Sequence, residues 1–380
     1  MKTRISPSLK ICFVSEFSVV QYKGGGEQRY YEIGKQLIRR GHEVYWLCLR
    51  TQKLAGPSIR EGIHIIPCGP RIDKPPMKYP LQTLGFMAVA FLHLITHSYD
   101  IVDAQTYFPL IPSYLARTIK GKKTLATIHD ISSKKQEDWV ISPKKYKMYH
   151  FFEGLFYKIP YSCIILVSNP IRHRLMHEYN VPSHKISVVH NGVDINLIDS
   201  IKSGKRKRRI IYVGRLIPHK HVDDLIEAFE VLTKKNLPLE LVIIGSGIEE
   251  SHLKEQAKHL PVTFLGTLDN YTEVIRHIKE SSCLVLPSTR EGFGMVLAEA
   301  MACHTPCVAY RSDGAVDVID HKKTGLLVEK RDTAGLASAI EYALKHSAQL
   351  TANARAAVER RFTWEKTAAE LEKVYALLGD

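Results

Sequence analysis

Short, continuously apolar runs alternate along the chain with segments of helical periodicity. Lys10-Ile-Cys-Phe-Val-Ser15 is apolar at consecutive positions, the pattern of a strand covered on both faces. Gly24-Gly25-Gly26 follows, and then residues 27–40, whose apolar and aromatic positions recur at helical spacing and stop at Gly41. This predicts strand, glycine loop and helix, with residues 43–49 as the next strand. Further β-like runs lie at 62–67, 101–104, 124–128, 163–167 and 186–189, with helix-length segments between most of them. Asn169-Pro170 predicts a helix start with Asn as the cap and Pro at the first helical position, and Asn191-Gly192 a turn. From residue 210 the pattern restarts. Strands over 210–213, 239–244, 262–265, 283–286 and 306–310 alternate with helices over 222–232, 249–260, 271–280 and 295–302. The fold class is therefore α/β, with two Rossmann-like βαβ domains in tandem.

Composition supports that reading. With 380 residues, 45% hydrophobic and 24% charged, the chain is neither disordered nor a disulfide scaffold, and it is long enough for two cores. The longest apolar run, over 84–95, is well short of the roughly 20 residues that span a bilayer. The basic N-terminus leads into the first strand without a signal-like apolar stretch. Seven scattered cysteines without a Cys-x-x-Cys pair suit a reducing, cytoplasmic setting in which they pack as small hydrophobes.

Charge is unevenly placed. Of a net +14, residues 1–200 carry +12 (27 basic, 15 acidic) and 201–380 only +2 (26 basic, 24 acidic). Six cations fall in Lys202-Ser-Gly-Lys-Arg-Lys-Arg-Arg209, which reads as a basic linker over 199–209 between domains at 1–198 and 210–361. A basic first half fits nucleic acid, an anionic membrane, phosphorylated substrates or a merely solvated surface, and charge alone does not choose among them.

Four constellations carry candidate chemistry. Gly24-Gly25-Gly26-Glu27 can present backbone amides and a helix N-terminus to an anion, but matches neither the dinucleotide fingerprint nor the P-loop. A turn that merely needs glycine is the alternative. Gly214-Arg215-Leu-Ile-Pro-His-Lys220 follows a buried strand, where open α/β sheets bind ligands; its Arg fork and Lys point charge suit two adjoining phosphates, though such residues are also common on surfaces. In the run from Leu286 to Met301, Glu291 falls in a loop with Gly292, Phe293 and Gly294. Glu299 falls on an otherwise apolar helix face, a costly place for a carboxylate without a partner, and a ribose diol is such a partner. His129-Asp130 sits at a strand end, where a structural hydrogen-bonding role competes with a catalytic one. No Asp-x-Asp occurs, so a protein-held divalent metal gains no support, and no Gly-x-Ser-x-Gly elbow suggests a hydrolase.

Together these residues resemble the GT4 family of retaining glycosyltransferases, which have the GT-B fold. The likeness runs through Gly25 to Glu27, His129-Asp130, Asn191-Gly-Val-Asp194, Gly214-Arg215-Leu216 with Lys220, Gly245-x-Gly247, Phe264-Leu-Gly266, Pro287-Ser288 and the Glu291/Glu299 pair. The resemblance implies two domains facing across a cleft, the acceptor against the first and a nucleotide-diphosphate sugar against the second. A last helix over 362–380 would cross back to the first domain. It implies no metal and no other cofactor. Glu299 would hold the ribose, Arg215 and Lys220 the diphosphate, and Glu291 the donor sugar. Gly25 and Gly26 would approach the leaving phosphate, with Gly214 beside it, and the amides of Phe293 and Gly294, after Gly292, would add contacts. His129 would touch the donor sugar and Asp130 lie on the acceptor side. Where many relatives have Gly-Gly and then Glu, this chain has Ser312-Asp313-Gly314-Ala-Val-Asp317.

Cations and aromatics mix in Lys74-Pro-Pro-Met-Lys-Tyr79, before the apolar 81–95 run, and in Lys144-Lys-Tyr-Lys-Met-Tyr149, before Phe151-Phe152. Such mixtures fit a peripheral membrane surface and a lipid-linked acceptor glycan; core helices with solvated lysines are the alternative. Two other functions compete: a nucleotide-sugar epimerase of the same fold, and a nucleic-acid-binding protein using the basic half. No recognised nucleic-acid module is present, so no nucleic-acid partner is expected.

Overall fold

The computed structural model describes residues 8–22, 24–73, 80–105, 107–131, 143–204, 206–235 and 237–379. The basic run 74–79, Lys205 of the linker, and the side chains of 144–149 lie outside what is described. The first domain holds β1 (Lys10–Val14), α1 (Gly25–Arg39), β2 (Glu43–Thr51), β3 (Ser58–Arg60), β4 (Ile63–Ile72), α2 (Pro80–Thr96), β5 (Ile101–Gln105), α3 (Leu110–Lys120), β6 (Lys123–Ile128), α4 (Pro143–Lys158), β7 (Cys163–Leu166), α5 (Asn169–Tyr179) and β8 (Ile186–Val188). They form one sheet in the order β3-β4-β2-β1-β5-β6-β7-β8, parallel except for the β3–β4 pair. Ile11 to Val14 are fully buried because helices cover both faces. Ile11 and Phe13 pack with Tyr30, Ile33 and Leu37 of α1, whereas Cys12 and Val14 pack in the cluster that includes Phe86 and Leu94 of α2, Leu110 of α3 and Tyr157 of α4.

After α6 (Ile195–Ser200) the chain enters the second domain: β9 (Arg209–Val213), α7 (Val222–Lys234), β10 (Glu240–Ile244), α8 (Glu250–Gln256), β11 (Val262–Gly266), α9 (Tyr271–Lys279), β12 (Cys283–Leu286), α10 (Met295–Ala302), β13 (Cys307–Tyr310), α11 (Ala315–Val318), β14 (Leu326–Val328), α12 (Thr333–Lys345) and α13 (Ser347–Arg361). Its sheet, β11-β10-β9-β12-β13-β14, is wholly parallel. α14 (Trp364–Gly379) returns to the first domain. There Arg40 and His42 bond Glu372 at 2.7 and 2.9 Å, and the Tyr375 hydroxyl donates to buried Asp103 at 2.9 Å. The return is tight: the Val193 amide donates to the Phe362 carbonyl at 3.0 Å, and a Cβ at Gly192 would stand 2.3 Å from the Trp364 nitrogen.

Several details depart from the sequence reading. Gly25 and Gly26 are not loop but the first turn of α1, since glycine accepts helical angles once the turn is held. The cap of α5 is Ser168 rather than Asn169, which is the first helical residue and turns instead to Asp317 of the other domain, its backbone amide 2.6 Å from Oδ2. α6 extends into the expected linker and Arg209 already belongs to β9. β14, α12 and α13 were not foreseen. The seven cysteines are free and buried.

Candidate active site

Strand C-termini of both sheets point into one cleft, and each candidate residue follows such an end. On the second-domain side, β12 leads through Glu291-Gly-Phe-Gly294 into α10. Gly294 adopts φ +86°, left-handed backbone that suits glycine, and no side chain caps α10, so its first amides remain open to an anion. Glu299 lies one turn inside the helix, and the Tyr271 hydroxyl of α9 donates to it at 3.1 Å. Burial pushes the Glu299 carboxyl up to about 7, with Tyr271 pulling the other way. This carboxylate is under-satisfied and gains from further hydroxyl donors.

Lys220, buried at the end of a short 3-10 turn (Pro218–Lys220), donates to Glu291 at 2.5 Å. Arg215 is exposed at the cleft, its carbonyl held by the Tyr212 hydroxyl at 2.9 Å. Gly214 keeps the turn compact: a Cβ there would lie 2.7 Å from that hydroxyl oxygen. Two more glycines do the same for the adjoining loop, where Cβ atoms at Gly245 and Gly247 would collide with the carbonyls of Gly214 and Leu216 at 1.8 and 2.0 Å. Burial, followed by the charges of Lys220, Arg290 and Arg215, holds His219 down at about 3. A group of cations at one loop lowers a histidine pKa for the same reason that it attracts a diphosphate.

On the first-domain side α1 also begins uncapped, at Gly24, with Gly25 open and Gly26 against the His129 imidazole. A Cβ at Gly26 would stand 3.1 Å from His129 Nε2, so a larger residue would crowd that ring. Nε2 is buried with no hydrogen-bond partner among the described residues. Burial, followed by the charge of Arg29, holds the imidazole at about 3, so it is neutral at pH 7. The two halves meet here: a Cβ at Gly292 would lie 2.2 Å from the His129 carbonyl oxygen. Phe293 is buried against His190 and Phe362.

Asp130 is engaged in a way the sequence did not suggest. Arg290 of the second domain grips its Oδ2 at 2.7 and 2.6 Å, so the expected acceptor-side carboxylate is one half of an ion pair across the cleft. The divergent 312–317 loop is a second bridge. Asp313 pairs with Arg174 at 2.7 Å, and Asp317 accepts from Asn169 and from His190 Nε2 at 3.0 Å. Burial alone would raise the Asp317 carboxyl, but the bonds from His190 and Asn169 hold it below its ordinary value. Gly314 closes the loop onto Phe293, whose backbone a Cβ would meet at 2.4 Å.

The candidate residues thus fall into two sets that face each other. Glu299, Glu291, Lys220, Arg215, Gly214 and the α10 terminus form one, and His129, Gly25 and Gly26 the other. Arg290, Arg174, Asp313, Asp317 and His190 were missed as site residues. Arg290 had a usable signal in its place beside Glu291.

Two family models match the chain one after the other: "Glycosyltransferase Family 4" over residues 23–197 and "Glycosyl transferases group 1" over 194–361. The chain belongs to the GT4-type glycosyltransferases. This glycosyltransferase is 27% identical to an N-acetyl-alpha-D-glucosaminyl L-malate synthase of Bacillus anthracis, over 90% of this chain and 91% of that one. Its fold is that of GT-B proteins. A sucrose-phosphate synthase of Thermosynechococcus elongatus superposes with TM-score 0.80 and 20% identity, covering 97% and 99% of the two chains. Anabaena HepE, solved with UDP, does so with TM-score 0.75 and 20% identity, covering 97% and 100%. The epimerase and nucleic-acid alternatives are not favoured by these matches.

Among the described residues one group of three side chains could converge on a metal ion. His221, Asp223 and Asp224 converge, but the Arg331 guanidinium already sits among them, 2.7 Å from Asp224. The helical pair His93 and His97 stacks ring on ring at 3.9 Å, with His93 Nε2 2.8 Å from the Tyr99 hydroxyl.

Proposed function

We propose that the glycosyltransferase moves a sugar from a nucleoside-diphosphate sugar to an acceptor hydroxyl with retention of anomeric configuration and without a metal ion. The observation that carries this reading is the pairing of two uncapped helix N-termini, α10 with Glu299 and the Lys220–Glu291 pair, α1 with neutral His129, across one cleft. Glu299 accepts from the ribose hydroxyls. Arg215, Lys220 and the amides after Gly292 hold the diphosphate, supplying from the chain the positive charge that a cation would otherwise give. His129 Nε2, without a hydrogen-bond partner among the described residues, supports a bond to a hydroxyl of the donor sugar. Glu291 orients that sugar and Lys220 together.

In the transfer, the bond from the anomeric carbon to the diphosphate oxygen breaks and a bond to the acceptor oxygen forms on the same face. The acceptor proton passes to the departing diphosphate oxygen. Bridges across the cleft exclude water from the oxocarbenium-like centre. The basic first domain supports an acceptor carried by a lipid at the cytoplasmic membrane face. A thermal-shift panel of uridine, guanosine and adenosine diphosphates and their sugars, in chelator, tests the donor site. Ligand at 100 times its Kd adds about 2.7 kcal/mol. A rise with one base that persists in chelator is expected; no rise with any would contradict the reading.

A further inference from the structure

Helix α2 has no Asp, Glu, Lys or Arg in its 17 residues. Thr83, Phe86, Ala90 and Leu94 bury one side against the sheet, but Leu81, Leu84, Ala88, Val89 and Leu92 form the opposite, solvent-facing side. Leu81, Leu84 and Leu92 are 78%, 57% and 54% exposed, so this is not the rim of a core. A helix apolar on every side is normally enclosed by protein or by lipid. Its neighbours extend the surface. α3, packed beside α2, exposes Leu115 and Ile119. α4, whose Phe156 meets Tyr107 just before α3 and which is followed by Pro160, whose carbonyl accepts from Arg117 of α3, exposes Phe151, Phe152 and Leu155.

Charge says what covers this face. Over 80–96, 110–123 and 150–158 the described side chains include Arg117, Lys120, Lys122, Lys123 and Lys158, against the single acid Glu153. Glu153 is buried and accepts from Tyr107, Tyr157 and Tyr179, so it offsets none of the surface charge. We propose that the α2–α3–α4 face docks the protein on an anionic lipid bilayer, leucines and phenylalanines in the interface and lysines on the headgroups. A second copy would set these like charges against each other, and an acidic protein would leave the apolar stripe without a reason. Among the described residues no helix is long and apolar enough to cross a membrane, so the contact is peripheral. β4, which precedes α2, runs parallel to β1 and β6, which lead to Gly26 and His129, so the C-terminal ends of all three lie on one side of the sheet. The proposal deepens the lipid-borne acceptor reading and rests on it for its purpose, but binding is read without turnover.

Flotation with vesicles of phosphatidylcholine, with and without phosphatidylglycerol, at low and molar salt, tests it. Binding to the anionic vesicles at low salt is expected, with little to neutral ones and loss in molar salt. Leu84→Ser with Leu92→Ser weakens it about a hundredfold, as two leucines leave the interface. Lys120→Glu with Lys158→Glu weakens it by at least about fivefold per residue. Both variants keep the nucleotide thermal shift of the parent. No binding to anionic vesicles, binding indifferent to the leucines, or a concentration-dependent dimer that the leucine variant abolishes would each overturn the proposal. Loss of the nucleotide shift in every protein with vesicle binding intact would instead refute the donor-site reading alone.

Discussion

Helices α10 and α2 are both built almost wholly from apolar residues, yet the protein uses them in opposite ways. α10, Met-Val-Leu-Ala-Glu-Ala-Met-Ala, is packed between β12, β13, α9 and α13, and its one polar residue, Glu299, reaches the cleft. α2, twice as long, presents half of its apolar surface to solvent. In α10 apolar surroundings raise the pKa of a carboxylate and prepare it for hydroxyl donors. In α2 there is no charge to prepare, and in the proposed docking the exposed leucines are themselves the functional feature. The same composition thus marks a ligand site when one polar group is enclosed, and a docking surface when none is.

The comparison breaks most readily on the enclosed side. Lys220→Ala removes the cation proposed to face the diphosphate and takes the Lys220 bond from Glu291, so kcat should fall by about 10²–10³. Near-normal turnover in both Lys220→Ala and Arg215→Ala would remove the electrostatic account. Gly292→Ala comes next: the added Cβ overlaps the His129 carbonyl, so the cleft must open. A penalty of about 1–3 kcal/mol, one to two orders of magnitude in kcat, is expected, with nucleotide affinity nearly unchanged because the proposed nucleotide site lies on one domain. Parallel losses of affinity and turnover would show that Gly292 serves donor binding instead.

A third effect is on stability. Because the Glu299 carboxyl is raised from 4.5 to about 7, the folded protein binds more protons than the unfolded chain between those values. Glu299 therefore lowers stability as pH rises through that window, by up to about 1.4 kcal/mol per pH unit, and has no further effect above it. Denaturant titrations of the parent and Glu299→Gln from pH 4.5 to 8 should diverge in that sense, with the variant gaining relative stability as pH rises. Parallel curves would mean that Glu299 is not shifted.

Much of this was legible in the sequence, for identifiable reasons. Strands buried on both faces must be apolar at every position, so β1, β9 and β12 declare themselves, and the glycine-containing segments after them carry the candidate site residues. Residues 326–328 form a strand too short to show a period, and β14 went unread with the helices that follow it. Asp130 and Arg290 are 160 positions apart, and no local pattern signals that they pair. The same holds for Asp313 with Arg174 and Asp317 with His190: the divergence of 312–317 was visible, but its use as a bridge between domains was not. The exposed half of α2 lay between, since an apolar run reveals that a helix is hydrophobic and not which side the protein leaves bare.

The most direct test of the donor site compares a nucleoside diphosphate with its 2′-deoxy counterpart, by calorimetric titration in chelator, on the parent and on Glu299→Gln. The account predicts that the parent prefers the ribonucleotide by about tenfold, one charge-assisted hydrogen bond, and that the variant binds both alike at the weaker level. Equal preference for the ribonucleotide in both proteins would contradict it, because the ribose would then be held by something other than Glu299.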